Sequence, residues 1–188
     1  VKLFLKTNNN EASATSENID NIVTKSNLQV ETINNRWTIG VIPSPSGTFE
    51  HMSFVNGVWT MQGGSHVNYL VAQCVKYVED VLDKKYHLEN IPAGTTIKNK
   101  FMIFVQCLIE NPSFDSQSKD ALTTTISQFG SKCNIPKGFL RKAFEGSGDA
   151  NAEDIVQTIF NSARARERSR LLAPKKGQFG KTSIKVPK

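Results

Sequence analysis

The chain has 188 residues, 38% of them hydrophobic and 21% charged, with a formal net charge of +6. That is enough chain to bury a core, and the balance suits a globular domain rather than a disordered or fibrous one. No apolar run approaches the roughly 20 residues that cross a bilayer, and VKLFLK at the start is too short for a signal peptide. The three cysteines, Cys74, Cys107 and Cys133, are widely spaced and odd in number, and are expected as reduced, buried thiols rather than a disulfide framework or a zinc site. From Arg164 to Lys188 four Arg and five Lys stand against one Glu, so this end carries +8 and the rest of the chain about −2. The basic element is local, which argues against a surface that tracks nucleic acid everywhere.

Val1 to Leu5 alternates as a short strand, and KTNNNEASATS from Lys6 to Ser16 is a polar loop. Ser16, with Ile19, Ile22 and Val23 behind it, predicts a short capped helix to about Lys25. These opening residues cannot close a core alone and are expected to be the tail of something larger. Three strands follow as a meander, at Leu28 to Ile33, Arg36 to Ile42 and Phe49 to Trp59, with PSPSG at Pro43 to Gly47 as a turn. Gly63 and Gly64 permit a tight strand-to-helix junction, and Ser65 occupies the N-cap position. The helix runs to about Lys85, because Val67, Leu70, Val71, Cys74, Val75, Val78, Val81 and Leu82 keep close to i, i+3, i+4, i+7 spacing. His66 is expected as a hydrogen-bonded core histidine, and His51 and His87 have no metal-spaced partners. Lys84 and Lys85 complement the dipole at the helix end.

From Phe101 to Ile109 only Gln106 is polar, which predicts a central strand buried on both faces. Glu110, Asn111 and Pro112 stop it. Gln117 and Lys119 stand two residues apart, and in an extended loop such positions project to one side. An amide and an ammonium would then lie together, as a phosphate contact needs. The same loop also fits a different arrangement, in which Ser116 and Ser118 cap a helix starting near Asp120 and Lys119 is a solvated charge. Thr123 to Ser127 is rich in β-branched residues and has no clear assignment. Pro136 opens a short helix carrying Phe139, Leu140, Ala143 and Phe144, and GSG at Gly146 to Gly148 ends it. Asp149 or Asn151 caps a last helix whose stripe is Ile155, Val156, Ile159 and Phe160. ARARERSR continues that helix, either as a solvated end or as a basic surface toward phosphates. After Pro174, KKGQFGKTSIKVPK reads as a flexible linker.

Four stretches stand in order between Asn34 and Pro136: NNRWTIGV, SFVNGVWTMQGGSHVNYL, LIENPSFDSQSK and FGSKCNIP. Together they resemble the transducer domain of type IIA DNA topoisomerases, of the eukaryotic topoisomerase II type and more distantly gyrase B. LIENPSFDSQSK is similar to the family's switch-lysine loop, with Ser118 where threonine is usual. The resemblance implies an α+β, ribosomal-protein-S5-domain-2-like fold, a small mixed sheet with helices mainly on one face. It implies that residues 1–27 are the tail of a preceding GHKL ATPase domain, 28–172 the transducer, and 173–188 a basic linker toward a TOPRIM domain. Lys119 would then place its charge on the γ-phosphate of ATP, with Gln117 donating to the same oxygens and Ser118 completing the contact. Lys84 and Lys85 stand where the family carries a lysine run that touches DNA, shortened here by Asp83, and Arg164, Arg166 and Arg168 would face DNA as well. ATP with Mg2+, DNA, a homodimeric parent enzyme and a nuclear location, or a viral replication compartment, follow from the same likeness.

The segment is expected to be inactive alone, since it lacks an ATP-binding glycine loop, an acidic metal cluster and a nucleophilic tyrosine site. A rival from another class is a non-enzymatic S5-like module that binds RNA, but it needs cations spread over the sheet, and here they lie in the tail.

Overall fold

The computed structural model describes residues 28–146 and 154–172. The strand expected at Val1 to Leu5, the helix after Ser16, the Asp149 or Asn151 cap and the tail after Pro174 lie outside the described residues.

The strands are β1 (Gln29–Asn34), β2 (Trp37–Pro43), β3 (Glu50–Val55), β4 (Val58–Trp59), β5 (Gly63–Gly64), β6 (Phe101–Cys107) and β7 (Ala121–Leu122). The helices are α1 (Ser65–Lys84), α2 (Gly94–Lys98), α3 (Lys137–Glu145) and α4 (Ile155–Leu172). Among the described residues five strands form one sheet in the order β1-β2-β6-β3-β4, and β5 pairs with β7 as a separate parallel couple. β6 runs antiparallel to β2 and parallel to β3, so the sheet is mixed and the fold is α+β.

Several expectations need correction. The three strands are not a simple meander, because β6 enters between β2 and β3 and satisfies a backbone edge of each. β6 is also not buried on both faces. Phe101, Ile103, Val105 and Cys107 are at most 1% exposed, whereas Met102, Phe104 and Gln106 between them are half-buried. The strand ends at Cys107, two residues before the apolar run does. The stretch read as one strand from Phe49 to Trp59 is broken by Asn56 and Gly57, both with positive φ (51° and 82°). They make the two-residue turn that joins β3 to β4, with Val55 opposite Val58.

The covered face carries Trp37, Ile39 and Val41 from β2, Val55 from β3 and the four buried residues of β6. Against them α1 presents Val67, Leu70, Val71, Cys74, Val78 and Leu82, six of the eight residues of the predicted stripe, while Val75 and Val81 are half-buried beside them. Burial of each large apolar side chain stabilises by about 1.5–3 kcal/mol, so this interface dominates the fold. α3 follows Pro136 as expected and sets Phe144 edge-on against Phe101, with ring centroids 5.2 Å apart. α4 adds Ile155, Val156 and Ile159 to the same core. The helix begins at Ile155, and its first turn is capped by Asp154 and not by Asp149 or Asn151: Asp154 Oδ1 accepts the Gln157 N–H at 2.8 Å. Cys74, Cys107 and Cys133 are free and buried, and burial pushes each thiol up to about 12. No helix among the described residues is long and apolar enough to cross a membrane.

Candidate functional site

The four motif stretches, far apart in sequence, converge where the chain leaves β6. Leu108 N–H donates to the Arg36 carbonyl at 2.9 Å, and Asn56 N–H donates to the Cys107 carbonyl at 2.9 Å. The Asn56 side chain accepts the Ile109 N–H at 2.8 Å and donates to the Ile109 carbonyl at 2.9 Å. Arg36 pairs with Glu110 at 2.7 Å. Gly130, at φ 72°, lies so close that a Cβ there would overlap the Glu110 side chain. Trp37 donates its indole N–H to the Ser131 hydroxyl at 2.8 Å, and Asn34 Nδ2 donates to the Lys132 carbonyl at 3.3 Å. NNRW, SFVN, IENP and FGS therefore form one polar knot at the root of the following loop.

The loop is a closed pair of arms. Phe114 bridges Leu122 in antiparallel fashion, and Asp115 N–H donates to the Ala121 carbonyl at 3.1 Å. Ala121 N–H returns a bond to Asp115 Oδ1 at 3.1 Å. Lower down, Thr123 N–H reaches the Ser113 carbonyl at 2.9 Å, and Ser113 N–H reaches the Thr124 hydroxyl at 2.7 Å. The tip closes with Lys119 N–H on the Ser116 carbonyl at 3.1 Å. This is a turn and not an extended segment, and Lys119 has φ 61°, so the two-residue alternation expected for Gln117 and Lys119 does not apply. Nor does a helix start near Asp120; β7 begins there instead.

Gln117, Ser118 and Lys119 are all exposed. Among the described residues Lys119 has no carboxylate in ion-pair range, and its Nζ stands 5.9 Å from the Phe114 ring centre. The Ser118 hydroxyl is already used, donating to Asp120 Oδ2 at 2.6 Å and sharing a 2.8 Å contact with the Ser116 hydroxyl. So Ser118 shapes the tip, while the amide of Gln117 and the ammonium of Lys119 are presented outward.

The returning arm is fastened to the start of α1. Gln62 N–H donates to the Asp120 carbonyl at 2.9 Å, and Gly63 and Gly64 pair with Ala121 and Leu122. Gly64, not Ser65, is the N-cap, and no side chain caps the helix. The Ser65 hydroxyl instead donates to the Thr124 carbonyl at 2.6 Å, drawn away by the loop beside it. Beneath β5 lies a buried polar floor. The Ser53 and Thr60 hydroxyls are 2.6 Å apart, and the Thr60 hydroxyl is 3.3 Å from His66 Nε2. His66 is fully buried, as expected of a core histidine, and burial, then the nearby His51, lowers its pKa to about 4. His51 is held below its usual value by burial and then by the charge of Lys98.

The residues read as facing DNA separate into different situations. Lys84 is exposed, with a 3.9 Å pairing to Asp80 among the described residues. Lys85 is engaged, its Nζ lying 2.6 Å from Glu145 Oε2 on α3, while the Tyr77 hydroxyl donates to the other oxygen. Burial pushes the Glu145 carboxyl up, but the bonds from Lys85 and Tyr77 hold it below the usual carboxylate range. On α4, helical spacing places Arg164 with Arg168 on one side and Arg166 with Arg170 on another. Arg166 and Arg170 border an open cleft of about 530 Å³ against Asn90 and Pro92. The basic run is thus two strips.

Among the described residues no group of three His, Cys, Asp or Glu could hold a metal. Asn56, Arg36 and Glu110 were not singled out from sequence as functional, although the motifs quoted contain them. Their partners lie up to 74 positions away for Arg36 and Glu110, and local pattern carries no trace of that.

A family model described as DNA gyrase B matches residues 1–173. The chain is 36% identical over 178 residues to DNA topoisomerase 2 of Saccharomyces cerevisiae, covering 91% of the chain and 11% of that protein. It is 39% identical over 153 residues to the mitochondrial DNA topoisomerase 2 of Dictyostelium discoideum, covering 81% of the chain and again 11% of the relative. The structure superposes on the crystal structure of the ATPase and transducer domains of DNA topoisomerase II from Balamuthia mandrillaris with a TM-score of 0.70 and 34% identity, over 80% of this chain and 37% of that one. The chain therefore spans about a ninth of the length of the Saccharomyces and Dictyostelium relatives. It belongs to the DNA gyrase B family, and within it to the ATPase and transducer region of the type II DNA topoisomerases.

Proposed function

We propose that residues 28–172 are the transducer of an ATP-dependent type II DNA topoisomerase, in which Lys119 and Gln117 reach the γ-phosphate of ATP held by a preceding GHKL ATPase domain. One observation carries this reading: an ammonium and an amide, both exposed and without an ion-pair or hydrogen-bond partner among the described residues, stand at the tip of a loop braced on both arms. Such groups stabilise charge spread over a transferring phosphoryl group, and placing them on a rigid support lowers the reorganisation needed at reaction. The contact lasts only while the γ-phosphate is in place, so hydrolysis would free the tip and let the sheet and α1 move against the nucleotide domain.

Residues 1–27 then end the ATPase domain and 173–188 lead toward a TOPRIM domain. The Mg2+ that accompanies ATP would be held outside this segment, and the segment alone would hydrolyse nothing. DNA is the substrate of the parent enzyme, a homodimer acting in the nucleus, with Lys84 and the Arg164, Arg166 and Arg168 strips as candidate contacts and Lys85 a weaker one. The RNA-binding alternative finds no support on the outer face of β6, where Met102, Phe104 and Gln106 are uncharged.

The test is Lys119→Ala in the full-length enzyme. The expected result is an ATPase rate at least about tenfold lower with DNA affinity retained, since losing one group that stabilises transferring charge costs about 10²–10³ in kcat. An unchanged ATPase rate removes Lys119 from the mechanism.

A further inference from the structure

We infer that Asn56 is a positioning residue for the Lys119 loop, tying the direction in which that loop leaves the sheet to strand β3; this rests on the reading of Lys119 given above. The parallel ladder between β3 and β6 ends at Val55 opposite Cys107. Asn56 then turns away at φ 51° into the hairpin, so the backbone of β3 can offer Ile109 nothing further. The Asn56 side chain replaces the missing rung. Its carbonyl oxygen takes the Ile109 N–H at 2.8 Å, and its amide nitrogen donates to the Ile109 carbonyl at 2.9 Å. A primary amide has one acceptor and one donor group side by side, which matches an extended residue's N–H and C=O. A carboxylate would set an oxygen against the Ile109 carbonyl, and an apolar side chain would leave two backbone groups of a residue only 4% exposed without partners.

Arg36, the turn residue just before β2, holds the other side of the same residues. The Arg36 carbonyl takes Leu108 N–H, and the guanidinium grips Glu110. Leu108 to Glu110 thus lie beyond the strand yet are fixed from both neighbours, before Pro112 and the two hydrogen-bonded arms begin. Asn56 does not approach Lys119. It acts through the backbone that carries Lys119, and it is the point where a displaced tip would pull on β3.

The test uses Asn56→Gly in the full-length enzyme, because glycine accepts the positive φ and keeps the hairpin while removing only the amide. Asn56→Asp, which keeps size and loses the donor, serves as a second variant. ATPase kcat and KM, thermal unfolding, and the Lys119→Ala and double variants are measured together. The expected result is a kcat about tenfold lower, since a small misplacement of a positioned group costs that much or more. KM for ATP should stay within about twofold, as expected where binding itself is untouched. In the Lys119→Ala background, Asn56→Gly should cause no further loss, because both changes remove one interaction.

A loss in the double variant equal to the product of the two single losses overturns the inference, as does a kcat that follows only the fraction unfolded. A normal kcat in Asn56→Gly with a reduced kcat in Lys119→Ala removes the role of Asn56 alone. A normal rate in Lys119→Ala removes the switch-lysine reading, and the role of Asn56 with it.

Discussion

Gly64 and Leu122 form a parallel rung so close that the backbone of Leu122 fills the space a Cβ on Gly64 would need. Gly64 also has φ 128°, a region that L side chains rarely adopt. The return arm of the Lys119 loop can lie against the start of α1 only because no side chain stands between them. Gly64→Ala is expected to cost about 3 kcal/mol or more, since backbone must move and the new residue is strained. Urea unfolding of the chain measures the loss, and limited proteolysis should cut residues 113–124 faster in the variant. A variant as stable as the parent would show that the rung can shift freely.

The stability of the fold should fall in acid through His66. Its neutral form is the one buried against Thr60, and its folded pKa of about 4 lies below the ordinary 6.5. Above pH 6.5 both folded and unfolded forms are neutral and the stabilisation is complete; between 6.5 and 4 only the unfolded form gains the proton, and stability declines as the pH drops. The contribution is on the order of 3 kcal/mol. Unfolding free energy measured at steps across that window should slope less in His66→Gln than in the parent. Equal slopes would place the acid sensitivity elsewhere, for example at His51, whose pKa burial and then the charge of Lys98 also hold below the ordinary 6.5.

Lys84 and Lys85, adjacent in sequence, should separate in experiment. Lys85 is fixed to Glu145, whose side chain is 14% exposed and also holds Tyr77. Lys85→Met should cost about 1 kcal/mol in unfolding, because the carboxylate loses its charged donor. Lys84→Met should stay within about 0.5 kcal/mol, as for other exposed positions. If the end of α1 meets DNA, Lys84→Glu in the full-length enzyme should weaken duplex binding in a salt-dependent way. Duplex affinity that does not change at low salt removes Lys84 from the interface.

What could be read from sequence was whatever repeats locally. The α1 stripe was legible because six of its residues bury at helical spacing, and α3 was legible because Pro136 and Gly146 bracket it. The motif stretches pointed to the right family. Their physical reason, a knot around the exit from β6, was hidden because it joins residues up to 98 positions apart. The Asn56-Gly57 turn was present as a dipeptide signal, but the apolar residues flanking it read as one continuous strand. The pairing of β5 with β7 has no period at all, being two residues long on each side. Ser65 looks like a cap from composition, yet a carbonyl from the Thr124 segment takes its hydroxyl. The exposure of Lys119 was legible; the left-handed turn that presents it was not, because the bonds closing it come from both arms.

The place of β6 between β2 and β3 has a consequence for how the chain can be made. Until Phe101 to Cys107 emerge, after α1 and α2 have been synthesised, β2 and β3 each carry an unfilled edge facing the other across a strand-wide gap. Open edges of that kind recruit other chains, and distant pairings form slowly. A polypeptide truncated before Phe101 is therefore left with half a sheet on either side of nothing, its two open edges available to other chains.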